Sequence, residues 1–458
     1  MISWRSNICT HILSCSLFIS SFLFQSLPAL DVPVFYRTPY FQGQSAASVD
    51  DWAVFLKAHY AQGSTRKSWN AHSKRGSLFS SHGFFDIGKL GLNQDNLAQL
   101  PLTNAQWGAG APLATGPAIP VEFTGKFRLQ EFDVTWRQNL FSGFFAHVNL
   151  PFKELKLNEI GFINQGPENV QDAMGMDIMV GGNPIKVDDF LNNQLDPILK
   201  ENGLAPVKTP FKKSGVGDLV ITGGWQGETE TDVSFIDRLS GQLQAGVLVP
   251  LAGKRDINRV FALPLGHDQY LGALGRGNLE VGLWKYLRLG ASVGAVIFFD
   301  EERVERVTTD LNQNGWILLE KTKVKKVQGT IWDFQLYAQA YRLLGGLSAL
   351  AGFSYTTQER TILSVRDDQF LKAYIDAQRL LTPPKIISPN YIANANKQLE
   401  MWEQFTLHFL VEYDVKAHTD SSFAPKLSVA YDYSIYGRRS WLTDMLGGSL
   451  ELHIQFNF

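Results

Sequence analysis

The closing stretch GGSLELHIQFNF sets Leu450, Leu452, Ile454, Phe456 and Phe458 on one side and Glu451, His453, Gln455 and Asn457 on the other. Successive side chains of a strand point to opposite faces, so period two sustained this long specifies an extended strand between two unlike surroundings. MWEQFTLHFLVEYDVK repeats the pattern, with Phe405, Leu407, Phe409, Val411, Tyr413 and Val415 against Thr406, His408, Glu412, Asp414 and Lys416. KLSVAYDYSIY and TIWDFQLYAQAYR do the same, Lys426, Ser428, Asp432 and Ser434 sharing one polar face and Asp333, Gln335, Tyr337, Gln339 and Tyr341 the other. Strands of soluble proteins are usually about five or six residues long. Eleven residues extend about 36 Å, and a tilt near 40° leaves a vertical reach of about 28 Å, close to the roughly 25 Å apolar band of a membrane barrel. The expected fold is all-β, a transmembrane antiparallel β-barrel.

Strands are expected over 51–61, 121–136, 141–151, 215–227, 239–250, 272–285, 288–299, 329–342, 346–359, 401–416, 424–436 and 447–458. Twelve is an even number, as closure with both termini on one side requires. Short connections alternate with ones of roughly 10 to 63 residues, the asymmetry of tight turns on one side of a membrane and long extracellular loops on the other. In VEFTGKFRLQEFDVTW the apolar set moves from Val121, Phe123, Phe127 and Leu129 to Phe132, Val134 and Trp136. A bulge near Gln130 would flip the register without ending the strand; the alternative is two shorter strands and a total of fourteen. The glycine-rich pair LGALGRGNLEVGLW and LGASVGAVIFF points to a strongly bent part of a closed sheet. Short helices are expected in the loops. VDDFLNNQL gives helical spacing to Phe190, Leu191 and Leu195 before Pro197 interrupts it, and DDQFLKAYIDAQRLL aligns Phe370, Tyr374, Ala377 and Leu381. Such helices either pack as a cap over the barrel mouth or lie on lipid.

The N-terminus carries one cation, Arg5, then an apolar run from Ile12 to Phe24 and small, turn-forming residues before Asp31. This is the layout of a secretory signal peptide, with cleavage expected after Ala29. The expected organisation is therefore a signal peptide at 1–29, a segment at 30–50 that is either a lumen plug or a periplasmic tail, and the barrel at 51–458. The two cysteines, Cys9 and Cys15, fall within the signal, so the mature chain would hold neither a disulfide nor a thiolate metal site. Aromatic residues at 12% and charged residues at 19% speak against disorder. The formal charge of −2 becomes −3 when Arg5 leaves, too small to imply a nucleic-acid partner.

GGWQGE and GALGRG lack the strand-to-helix context of a phosphate loop, and the histidines show no HExxH spacing. His408 with Glu412 and Asp414, or His453 with Glu451, could be read as a fragment of a hydrolytic triad, but wet lumen residues account for them more simply. The chain is expected not to be an enzyme and to need no cofactor. If the strand phases hold, Lys126, Arg128, Glu280, Asp333, His408, Glu412, Asp414, Lys416, Glu451 and His453 line the lumen. Buried charges of both signs must be paired or hydrated, which implies a water-filled passage or a hydrogen-bonded plug. Twelve tilted strands enclose a backbone diameter of roughly 24 Å, narrow enough for small solutes only unless the wall has a side opening.

The terminal Phe458, preceded by Ile454 and Phe456, resembles the end signal of Gram-negative outer-membrane β-barrels. That resemblance implies a bacterial outer-membrane location, a lipid surround and recognition by the barrel-assembly machinery. SGVGDLVITGGW, with Gly215, Gly217, Asp218, Gly223 and Gly224, is similar to the Gly-x-Gly-Asp strand openings of long-chain fatty-acid and aromatic-hydrocarbon transport channels. Those channels commonly have fourteen strands and an N-terminal hatch; the present chain has no Asn-Pro-Ala motif in its N-terminal segment. The expected function is an outer-membrane channel for passive or gated uptake of small or hydrophobic molecules. The alternative is a structural or surface-interaction barrel, for adhesion or scaffolding, with a plugged lumen.

Overall fold

The computed structural model describes residues 52–87, 119–171, 177, 179–201, 203–307, 316–318, 320–367, 401–415 and 423–455. Twelve long strands form the wall: β1 (Ala53–Thr65), β2 (Pro120–Asn139), β3 (Phe144–Asn164), β4 (Leu219–Val233), β5 (Ile236–Val249), β6 (Gly272–Leu283), β7 (Leu287–Phe298), β8 (Ile331–Leu344), β9 (Leu347–Gln358), β10 (Trp402–Asp414), β11 (Phe423–Arg438) and β12 (Asp444–Gln455). Each pairs antiparallel with its sequence neighbours, and β1 pairs with β12 from Ala53↔Gln455 to Ser64↔Asp444, closing the barrel. Closure leaves no free edge and gives every wall strand a ladder on both sides. The expected strands are thus all present, and a count of fourteen is excluded; two short segments, Phe85–Asp86 and Phe211–Val216, only extend the sheet beside β2 and β3. No helix among the described residues is long and apolar enough to cross a membrane.

Outward positions are apolar: Leu243 is 64% exposed, Leu279 71%, Leu336 60% and Val429 60%. A continuous apolar belt of this kind is foreign to a surface in water. Phe141, Phe235, Trp284 and Tyr286 stand exposed at the tight turns, ringing one end of the belt with aromatic side chains. The glycine-rich strands β6 and β7 pair without a slip from Gly272↔Phe298 to Leu283↔Leu287. At Gly290 a Cβ would lie 2.1 Å from Tyr337 Cζ, so glycine is what lets the Tyr337 ring lie against the wall.

The bulge expected near Gln130 is not there. β2 keeps one register with β1 from Thr65↔Phe127 to Val54↔Gln138, and the slip lies higher, at Thr124/Lys126 against β3, where Glu159 takes a positive φ. What changes at Gln130 is the environment of the two faces. Below it, Phe132, Val134 and Trp136 face outward; above it, Phe123, Phe127 and Leu129 face inward and are buried. Lys126 and Arg128 therefore stand on the outer face, a correction to their expected place in the lumen.

The strand expected from 215 begins at Leu219. Gly217 donates its N–H to the Pro151 carbonyl at 2.7 Å, Phe211–Val216 continues the pairing with β3 beyond that point, and the register slips by one between the two runs. Pro197 does not end the expected helix. The π-helical turn Phe190–Gln194 leads directly into the α-helix Leu195–Glu201, and a widened turn of this kind is a recognised accommodation within helices. The segments 1–29 and 30–50, the helix expected after 367, Lys416 and the terminal Phe456–Phe458 lie outside the described residues.

Candidate functional site

The long connections fill one end of the barrel with an apolar core. Leu78 and Phe79 from the 3₁₀ turn Leu78–His82, Phe190, Leu191, Leu195, Ile198 and Leu199 from the helical stretch, Phe261 to Leu265, Trp316 and Trp441 form one buried cluster with the inward Phe123, Phe127 and Leu129. The rings are in close contact: Phe79 stacks on Phe261 at 4.0 Å, and Phe127 meets Trp441 edge-on at 4.6 Å. Trp316 donates its indole N–H to the Phe79 carbonyl at 3.2 Å, so its polar edge is satisfied within the cap.

Asp218, the acid of the Gly-x-Gly-Asp stretch, ties this cap to the wall. Its carboxylate accepts the backbone N–H and the Nδ1–H of His267, the latter at 2.9 Å, and the Ala252 N–H at 3.4 Å. Burial works to raise the Asp218 pKa, but the His267 hydrogen bonds and charge, with the Ala252 N–H, outweigh it and hold the carboxyl below its ordinary range.

Beneath the cap the inward side chains form a polar lining. Glu280 on β6 accepts the Tyr337 hydroxyl at 2.9 Å and has Arg238 at 3.4 Å and Arg288 at 3.7 Å. Asp333 on β8 accepts from Gln335 at 2.7 Å and Thr356 at 2.9 Å, while Arg276 donates to Gln335 at 2.6 Å. On β10, His408 lies 2.7 Å from Asp432 and 2.8 Å from Ser354, and Glu412 pairs with Lys426 at 2.8 Å and accepts from Gln339 at 3.0 Å. Asp414 meets Arg342 at 3.2 Å. Glu451 stands opposite both Lys57 and Lys426, and His453 stacks on Phe55 at 4.5 Å. Seven of the expected residues, Glu280, Asp333, His408, Glu412, Asp414, Glu451 and His453, thus lie on one inner surface, and of these His453 sits in an aromatic stack.

 With Lys126 and Arg128 on the outer face, the described positions number nine of the ten: seven inward, two outward, and Lys416 outside the described residues.

The sequence reading missed much of the lining on β1 to β3. Lys57 and His59, Asp133 and Arg137, and His147 and Lys153 all share the inner face, with Lys153 3.0 Å from Glu131 and the Arg137 guanidinium 4.2 Å over the Phe145 ring. The signal was available in the run Phe132, Val134 and Trp136, whose interleaved Asp133, Thr135 and Arg137 must point the other way. Under the cap these side chains border a cavity of about 140 Å³, lined among others by Asp133, His147, Thr222, His267, Arg276 and Asp333. Among the described residues no group of three or more His, Cys, Asp or Glu side chains is placed to hold a metal ion.

No family model and no curated protein sequence matches the chain. Among solved structures it is similar to an outer membrane channel from Pseudomonas putida F1, at 9% identity over 92% of this chain and 100% of that one, with a TM-score of 0.47. It is also similar to the translocator domain of the autotransporter NalP from Neisseria meningitidis, at 8% identity over 90% and 91% of the two chains and a TM-score of 0.33. A Pseudomonas aeruginosa FadL homologue follows at 8% identity, 89% and 91% coverage and a TM-score of 0.28.

Proposed function

We propose that the chain is a bacterial outer-membrane channel for the passive passage of small solutes, narrowed at its long-loop end by the apolar cap. The observation that carries this reading is the division of the wall: an apolar belt outside, a hydrogen-bonded lining of both charges inside, and a closed ladder between them. Lipid on one side and water on the other is the surrounding that suits both faces at once. The polar lining favours small polar solutes over hydrophobic ones, and the solute gradient supplies the driving force. Insertion would pass through the barrel-assembly machinery, as the C-terminal alternation implies.

The tight packing of Phe79, Phe261, Trp316 and Trp441 favours a second reading, a plugged barrel whose outer loops meet other surfaces. Conductance decides between the two. The folded protein in a planar bilayer is expected to carry current in potassium chloride, and Phe79→Ala is expected to raise it by loosening the cap. Silence of both proteins, with native folding shown by heat-dependent electrophoretic mobility, would reject the channel and favour the plugged barrel.

A further inference from the structure

We propose that the cavity beneath the cap is a binding site for a small organic ammonium ion. As the solute class of the channel this rests on the reading above, but binding itself can be measured without transport. The cavity wall carries five carboxyl groups, Glu131, Asp133, Asp218, Asp333 and Asp432, against two permanent cations, Lys153 and Arg276. Most of these already have partners. Lys153 pairs with Glu131 at 3.0 Å, Asp218 with His267 at 2.9 Å, Asp432 with His408 at 2.7 Å, and Arg276 is engaged by Gln335 at 2.6 Å. Asp133 is 7% exposed; it has Lys153 and Lys57 in its electrostatic surroundings, but its side-chain hydrogen bond runs to Glu131, a second carboxyl two residues along the same face. An ammonium placed there would give Asp133 a charged donor of its own, beyond the Lys153 that Glu131 already holds, which a neutral or anionic guest cannot do.

His147 supplies the second, independent observation. The residue is 7% exposed and lines the same cavity, its Nδ1 is 3.3 Å from the Thr222 hydroxyl, and its buried Nε2 has no hydrogen-bond partner among the described residues. With Nδ1–H donating to Thr222, Nε2 is an acceptor awaiting a donor. Across the ladder His147 faces Arg137, but a buried acceptor on the wall of the cavity that also holds the carboxyl pair is complementary to an N–H-rich cation. The volume of about 140 Å³ corresponds to roughly four to five waters and limits the guest to a few heavy atoms. Gly294 borders this space with its nearest neighbour, Arg276 Cγ, 3.6 Å from the position of an added Cβ, so a side chain can be introduced there without displacing backbone.

The test is isothermal titration of the folded full chain in detergent with n-propylammonium chloride, sodium propionate and 1-propanol. Propylammonium is expected to bind and the other two are not. Asp133→Asn is expected to weaken binding at least about tenfold, the order of a lost charge-assisted hydrogen bond. Gly294→Leu, which occupies the space and leaves every carboxyl in place, is expected to weaken it as well. Absence of propylammonium binding in the unaltered protein, equal binding of propionate, or unchanged affinity in Asp133→Asn would overturn the proposal. Should Asp133→Asn fail to fold, unchanged affinity in Gly294→Leu would overturn it instead. Potassium chloride current without propylammonium binding would keep the channel and reject the site, whereas binding without current would keep the site and reject the channel.

Discussion

His408 Nδ1 lies 2.7 Å from Asp432 Oδ1, across the β10–β11 ladder in which the two residues are direct partners. The carboxylate fixes the proton on Nδ1 and leaves Nε2 to accept from the Ser354 hydroxyl at 2.8 Å. Acid, imidazole and hydroxyl are thus connected through the same nitrogens as in a hydrolytic triad. Two features set the arrangement apart from one. Ser354 is 3% exposed, and the neighbouring backbone N–H groups lie in strands paired on both sides, where a ladder already engages them. We therefore expect a fluorophosphonate probe to leave the folded protein unlabelled. Labelling lost on Ser354→Ala would reveal a nucleophile and revise the reading of the lumen.

The wall makes a sharper energetic prediction. Leu243 faces outward at the middle of β5 and Gln244 faces inward beside the cavity. Leu243→Arg should cost about 2–4 kcal/mol in a lipid folding titration, the cost of a cation at mid-depth on a lipid-facing strand. Gln244→Arg should cost much less, because its guanidinium enters a hydrated lining. Equal losses would show that the two faces do not see different solvents.

The cap should be separable from the barrel. Phe79 is 1% exposed and touches Phe261, Trp316 and Trp441, so Phe79→Ala should lower stability by about 3–5 kcal/mol, the range for removing a buried aromatic side chain. Circular dichroism of the variant should retain the β-sheet signal while denaturant unfolding moves to a lower midpoint. Loss of the sheet itself would show that the cap is needed to close the wall.

Asp218 gives a dependence on acidity. Its folded pKa lies below the unfolded value of about 3.9, so the stabilisation it supplies is present above that pH and is lost as pH falls through the folded value. Unfolding midpoints compared at pH 7 and pH 3 should therefore show a smaller difference for Asp218→Asn than for the unaltered protein. An identical pH response in both would remove the His267 contact as its source.

Period two is a local property of the chain, and it was enough to place all twelve strands and to assign the faces of β8, β10, β11 and β12. On those strands the outward side is apolar along its length and the inward side polar, so a single sequence pattern carries both facts. β2 is different because its inward side is polar beside Asp133 and Arg137 and apolar beside Phe123 and Phe127, where cap residues such as Phe79 and Phe261 pack against it. That Lys126 and Arg128 face outward and not into the lumen thus depended on side chains far away in sequence. The same holds for the relay from Ser354 through His408 to Asp432 and for the cavity between Asp133 and His147: each is made by strands brought side by side through ladder register, a long-range relation that alternation within one strand does not encode.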